Sequence, residues 1–354
     1  MKRILFILPS LKSGGAERVI SFIAQNIDRK KFSPMLLVLG FKGESVFSTE
    51  NVQVTYLNKS KFSKSILGLL RVLNKERPDI VVSSTIHINQ TLGIFSYIFP
   101  RVKFVVREAS VTSVMMQFTK NKQIPHWLRN QLYNRLDLII CQSEDMKDEL
   151  IKSYTIDLKK CHVIHNPITI PIADCNVQDS TREEINFITV GRLSAEKGHK
   201  RIITSLANIN ARFRYFIVGD GPLRNDLIKE VESNGLSDKV SIIKHSNNIS
   251  DFLKISSFFL QGSYVEGFPN ALLEALAHGV PCIAYDAPGG TREIIIDGEN
   301  GYLVKDEIDL KLATKLAHQA QGNYNAALHL LRDKDEEHPF EQWFVTWVRA
   351  AFKA

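Results

Sequence analysis

The feature that most limits how this chain can fold is a rhythm that occurs twice: short apolar runs alternate with longer amphipathic stretches. The first series runs through Ile4 to Leu8, Met35 to Leu39, Val52 to Leu57, Ile80 to Ser83, Lys103 to Val106 and Leu138 to Cys141. Between them, stretches such as Ala16 to Ile27 and Ile66 to Lys75 repeat apolar residues at spacings of three and four. A second series follows, through Ile185 to Val190, Tyr215 to Val218, Val240 to Ile243, Phe258 to Leu260, Cys282 to Tyr285 and Tyr302 to Val304. Strands too apolar to show a wet face, separated by helices, predict mostly parallel sheets covered on both sides. The expected class is therefore α/β, with two Rossmann-like domains in tandem. In such sheets ligands bind beyond the carboxyl ends of the strands.

Boundaries follow from composition. Residues 1–165 read as the first domain, the polar stretch 166–184 as a linker and 185–335 as the second domain. Residues 336–354 read as a terminal helix whose Phe340, Trp343, Phe344 and Trp347 need a surface to cover. Packing back across the first domain would supply it. At 354 residues, 44% of them hydrophobic and 23% charged, each domain can bury a core of ordinary size. No apolar run reaches the length of a membrane span, and Ile4 to Leu8 is too short and too early for a signal peptide, so a cytoplasmic protein is expected. Cys141, Cys161, Cys175 and Cys282 are scattered without zinc-like spacing and read as reduced residues in or near the core.

The net charge of +7 is uneven. Residues 1–165 carry 25 Lys and Arg against 13 Asp and Glu, a balance of +12, and the remainder carries −5. A basic half suits nucleic acid, an anionic membrane surface, a phosphorylated substrate or plain solvation. The lack of an aromatic-interleaved basic motif or a basic recognition helix argues against nucleic acid.

The motifs fall at expected strand ends. Glu266-Gly-Phe-Pro-Asn-Ala-Leu-Leu-Glu274 sets two carboxylates eight positions apart, the first in a loop and the second in a helical segment with Asn270 as the expected N-cap. The amides between them, with the positive end of the helix dipole, form an anion site, and each acid can hold sugar hydroxyls; two surface glutamates on an ordinary turn are the bland alternative. Gly14 and Gly15 open a helix after the first strand, in neither a dinucleotide fingerprint nor a P-loop. Gly191-Arg-Leu-Ser-Ala-Glu-Lys-Gly198 carries Arg192 and Lys197, cations suited to a diphosphate. Gly219 lies in a tight turn after the next strand, and His245 stands in a loop that can meet a base edge. In the first domain His87 and the pair Arg107-Glu108 sit past strand ends, and Glu108 is a general acid or base candidate. Asp333-Lys-Asp335 spells a metal-binding pattern but lies in a charged run and reads as solvated surface.

Taken together, Glu266 to Glu274, Gly191 to Gly198 and the Gly14-Gly15 pair resemble the family 4 retaining glycosyltransferases, from the first strand through Val304. The resemblance implies the GT-B fold, two Rossmann-like domains facing each other across a cleft, and a nucleoside diphosphate sugar donor, with a UDP-sugar expected. It implies that Arg192 and Lys197 bind the diphosphate, that the backbone after Phe268, in the stretch that runs through Pro269 to Asn270, Ala271 and Leu272, adds those N–H donors that proline leaves it, that Glu266 holds sugar hydroxyls and Glu274 the ribose, and that Gly14 and Gly15 close over the donor. No metal and no separate cofactor are implied. Many members carry a His where this chain has Arg107-Glu108-Ala109; the polysaccharide-building branch looks similar in placing a Glu there, which carries the acceptor-side role to Glu108.

Family members that build lipid-linked polysaccharide units act at the inner membrane face, so the resemblance also implies a polyprenyl-diphosphate or glycan acceptor and peripheral attachment to an anionic membrane. Lys59, Lys61 and Lys64 with Phe62, and Met115 to Phe118 with Lys120 and Lys122, are the surface candidates. A sugar-nucleotide epimerase of the same fold is the alternative function, and a noncatalytic binding protein ranks last.

Overall fold

The structure, a computed structural model, describes residues 1–12, 14–118, 124–169, 184–244 and 248–305. Residues 170–183 of the expected linker, Cys175, Lys120, Lys122, His245, Asp333, Asp335 and the aromatic tail lie outside the described residues. The described chain forms two compact units, one over 1–112 and 124–169 and the other over 113–118 and 184–305.

The first unit is built from strands β1 (Lys2–Leu8), β2 (Phe32–Val38), β3 (Gln53–Tyr56), β4 (Ile80–Ser83), β5 (Lys103–Arg107), β6 (Leu138–Cys141) and β7 (Cys161–Val163). They form one sheet in the order β3-β2-β1-β4-β5-β6-β7, with every neighbouring pair parallel. The chain also carries α1 (Gly15–Asn26), α2 (Ile66–Glu76), α3 (Ile86–Ile98), α4 (Thr112–Met115), α5 (His126–Asn134) and α6 (Glu144–Ser153). The central strands β4 and β6 are buried along their whole length, which is why they read as unbroken apolar runs. Helix α1 turns Val19, Ile20, Ile23 and Ala24 into the core against Phe6 and Leu36. The edge strand β7 has no counterpart among the expected strands. Only Cys161 to Val163 pair, and His162 interrupts the apolar signal.

The second unit contains β8 (Ile185–Val190), β9 (Phe213–Val218), β10 (Val240–Ile243), β11 (Phe258–Gln261), β12 (Cys282–Tyr285) and β13 (Gly301–Val304), in the order β10-β9-β8-β11-β12-β13 and again all parallel. Its helices are α7 (His199–Ala207), α8 (Arg224–Ser233), α9 (Ile249–Ile255), α10 (Asn270–Ala277) and α11 (Thr291–Ile294). Phe187, Tyr215, Phe258 and Ile283 fill its core. Cys141, Cys161 and Cys282 are free and buried.

Strand order reverses between β1 and β4 in the first sheet and between β8 and β11 in the second. At such a reversal the loops leaving the two strands diverge and open a crevice at their carboxyl ends. The Gly14-Gly15 turn follows β1. The Arg192–Lys197 loop follows β8, and the Glu266 loop follows β11.

Candidate active site

In the second unit the loops flanking the strand reversal meet. Lys197 Nζ lies 2.6 Å from Glu266 Oε1, an ion pair between residues 69 positions apart. Ser263 donates its hydroxyl to the same oxygen at 2.5 Å. Among the described residues nothing bonds to Oε2. Glu266 is 9% exposed and Glu274, one turn into α10, 5%, so these are not two surface glutamates on an ordinary turn. The backbone around Glu266 is tied to the loop after β12: its N–H donates to Pro288 O at 3.1 Å, and Gly290 N–H donates to Gly267 O at 2.8 Å. Phe268 is buried beside Gly290.

Helix α10 starts at Asn270 with Pro269 in the cap position, one residue earlier than the expected cap. Proline supplies the extended cap conformation (φ −71°, ψ 101°) and has no N–H to leave unpaired. Leu273 N–H donates to Pro269 O at 3.2 Å, so the amides of Ala271 and Leu272 precede the first bond of the helix.

Arg192 is exposed at the start of its loop, and its carbonyl accepts from His199 Nε2 at 3.0 Å. A carbonyl only accepts, so Nε2 carries the proton, and Nδ1 is buried with no hydrogen-bond partner among the described residues. Burial lowers the His199 pKa, which keeps the ring neutral. Gly219 is demanded by packing: a Cβ there would stand 1.9 Å from Gly191 O.

In the first unit the sequence candidates sit in a buried polar network. Glu108 is 5% exposed. Its Oε1 accepts from Tyr133 Oη at 2.6 Å and Asn89 Nδ2 at 3.1 Å, and Oε2 accepts from Thr112 Oγ1 at 3.5 Å. Burial pushes the Tyr133 phenol well above its ordinary range, so it remains a donor. The neighbouring Arg107 guanidinium, 3% exposed, donates to Ser84 Oγ at 2.6 Å and Asn166 Oδ1 at 2.5 Å. Burial brings its pKa down to about 9, against the pull of Glu17 and Glu108. Gly14 caps α1, and Glu17 folds back over it: a Cβ on Gly14 would fall 2.2 Å from Glu17 Oε2. His87 is exposed, with its ring 6.4 Å from that of Phe62.

The network residues Asn89, Tyr133 and Asn166, and Ser263 in the second unit, are absent from the sequence candidates. Each is a common residue type; Asn89, Tyr133 and Asn166 become neighbours of a candidate only through the fold, and Ser263, three positions before Glu266, has no motif that marks its hydroxyl as a partner. The Lys197–Glu266 pair was legible as two residues but not as a contact.

Two family profiles match. The one described as Glycosyltransferase Family 4 covers residues 13–170, and the one described as Glycosyl transferases group 1 covers 175–322. A Campylobacter jejuni protein, N-acetylgalactosamine-N,N'-diacetylbacillosaminyl-diphospho-undecaprenol 4-alpha-N-acetylgalactosaminyltransferase, is 27% identical over 321 residues, 86% of either chain. The Escherichia coli UDP-Gal:alpha-D-GlcNAc-diphosphoundecaprenol alpha-1,3-galactosyltransferase is 30% identical over 272 residues, 70% of this chain and 66% of its own. Among solved structures, Anabaena HepE in complex with UDP-glucose superimposes with a TM-score of 0.80 at 19% identity, covering 95% of each chain, a likeness of fold. The two α/β units are those of the GT-B fold, and the chain belongs to the family 4 glycosyltransferases.

Proposed function

We propose that this glycosyltransferase moves a hexose or N-acetylhexosamine from a UDP-sugar to a glycan growing on a polyprenyl diphosphate, with retention at the anomeric carbon and without a metal. The observation that carries the reading is the Lys197–Glu266 pair at the strand reversal of the second unit, beside the head of α10. The two relatives named above are transferases acting on diphospho-undecaprenol-linked sugars, which favours a lipid-linked acceptor and leaves the epimerase alternative unsupported.

The donor's diphosphate would take Arg192, whose head is exposed, and the hydrogens of Lys197 not engaged by Glu266. Departure of UDP puts charge on phosphate oxygens, and fixed cations and amides stabilise it in the role that a metal ion otherwise fills. The amides of Ala271 and Leu272, next to Phe268, Pro269 and Asn270, would serve as donors at the head of α10. Glu266 Oε2 would accept from a sugar hydroxyl, and Glu274 would hold the ribose. Gly219 and His245 would line the base. Gly14 and Gly15 as donor contacts and Glu108 on the acceptor side belong to the same proposal. With its carboxylate enclosed by three donors, Glu108 is better suited to holding the loop after β5 than to moving a proton.

Attachment to the inner membrane face would use the first unit. Lys59, Lys61 and Lys64 are exposed, as are the apolar Leu67 on α2, Ile94, Tyr97 and Ile98 on α3, and Trp127 on α5. Met115, Met116 and Phe118 are half-buried and belong to the second unit, so they are no part of the first unit's own surface.

The test is purified protein with a panel of UDP-, GDP- and ADP-sugars and a polyprenyl-diphosphate sugar acceptor, with and without EDTA. Transfer from a UDP-sugar that is unchanged by EDTA is expected. Loss of transfer in EDTA would overturn the metal-free reading.

A further inference from the structure

The direction in which Glu266 points depends on the turn before it, Gly262 to Tyr264, and that turn is pinned by a side chain from outside the glutamate motif. Arg201, on the first turn of α7, donates from Nε to Gly262 O at 2.6 Å and from a terminal nitrogen to Ser263 O. Its guanidinium carbon lies 3.7 Å from the Tyr285 ring centroid and 4.1 Å from that of Tyr264. Tyr285 is in turn anchored to the same helix, its hydroxyl 3.1 Å from Ser205 Oγ. Gly198, at φ +60°, lets the end of the Lys197 loop come against this turn, since a Cβ there would lie 1.8 Å from Gly262 O. The turn is thus held by two successive carbonyls and two ring faces, a set that a planar guanidinium satisfies and an ammonium does not.

We propose that Arg201 and Ser263 are positioning residues for Glu266. Arg201 fixes the Gly262–Tyr264 turn, the Ser263 hydroxyl and Lys197 hold Oε1, and Oε2 is thereby presented to a hydroxyl of the donor's sugar. The proposal rests on the reading of Glu266 as a sugar ligand. Without either residue the carboxylate keeps its charge but gains rotational freedom, so the loss falls on the sugar and spares the nucleotide.

The experiment measures the affinity of the full chain for UDP and for UDP-N-acetylgalactosamine, UDP-N-acetylglucosamine, UDP-galactose and UDP-glucose by calorimetry. For the best-bound sugar nucleotide, the ratio of its affinity to that of UDP should fall about tenfold in Ser263→Ala and Arg201→Lys. UDP affinity itself should stay within about twofold of wild type, and Ser263→Thr, which keeps the hydroxyl, should restore the ratio. If Glu266→Gln lowers the ratio while Ser263→Ala and Arg201→Lys leave it at the wild-type value, the positioning proposal is overturned and the role of Glu266 stands. If Glu266→Gln also leaves it unchanged, or no sugar nucleotide binds the wild type, the reading of Glu266 itself fails. UDP affinity reports folding in each variant. Should Arg201→Lys not fold, Ser263→Ala, which removes a single oxygen, decides.

Discussion

Lys197 and Glu266 are 69 positions apart in sequence and 2.6 Å apart in the fold, and Ser263 adds a hydroxyl to the same oxygen. A carboxylate with one oxygen doubly held and the other open is oriented without being neutralised as an acceptor. The histidine below the same loop offers a test of a different kind. Unfolded His199 takes a proton near 6.5, whereas the buried ring resists it. As pH falls below 6.5 the unfolded chain binds more protons than the folded one, so this residue weakens the fold on acidification and contributes no slope above that range. Denaturant unfolding at pH 7.5 and 5.5 should show a loss in the wild type that shrinks in His199→Gln, by up to about 1.4 kcal/mol for each pH unit. Equal losses in the two proteins would contradict a neutral buried ring.

At the scale of elements, both sheets reverse strand order beside the loops that carry the candidate residues. Helices α3 and α5 are joined to the end of β5 by Asn89 and Tyr133, which share Glu108 Oε1. Tyr133→Phe removes the shorter of these bonds and leaves a buried carboxylate short of a donor. It should cost about 1–3 kcal/mol in urea unfolding. A change within about 0.5 kcal/mol would mean that the network does not hold the loop. The strands were readable in advance because central parallel strands are buried on both faces, so Ile80–Ser83 and Leu138–Cys141 stand out as unbroken apolar runs. The short edge strand Cys161–Val163 did not stand out, because its apolar run is broken by a histidine. In the site, the residues in motifs were legible. Arg201 and Tyr133 were not, since each matters through a neighbour distant in sequence, and Ser263, three positions before Glu266, was not because its spacing alone does not show which way its hydroxyl turns.

At the scale of the whole molecule, the basic balance lies in the half of the chain that forms most of the first unit, and no helix among the described residues is long and apolar enough to cross a membrane. Attachment through exposed lysines and exposed apolar side chains should depend on lipid composition and salt. The protein should sediment with liposomes containing anionic lipid and release them as salt rises. Equal partition with neutral and anionic liposomes at moderate salt would remove the membrane reading. Donor chemistry is the role proposed for the second unit, and the most direct test of it is transfer of labelled sugar from the active UDP-sugar to a polyprenyl-diphosphate acceptor by wild type and Glu266→Ala. Label should pass to the lipid with the wild type and fall at least about 100-fold in the variant, with unchanged unfolding. Wild-type turnover in Glu266→Ala would contradict the account.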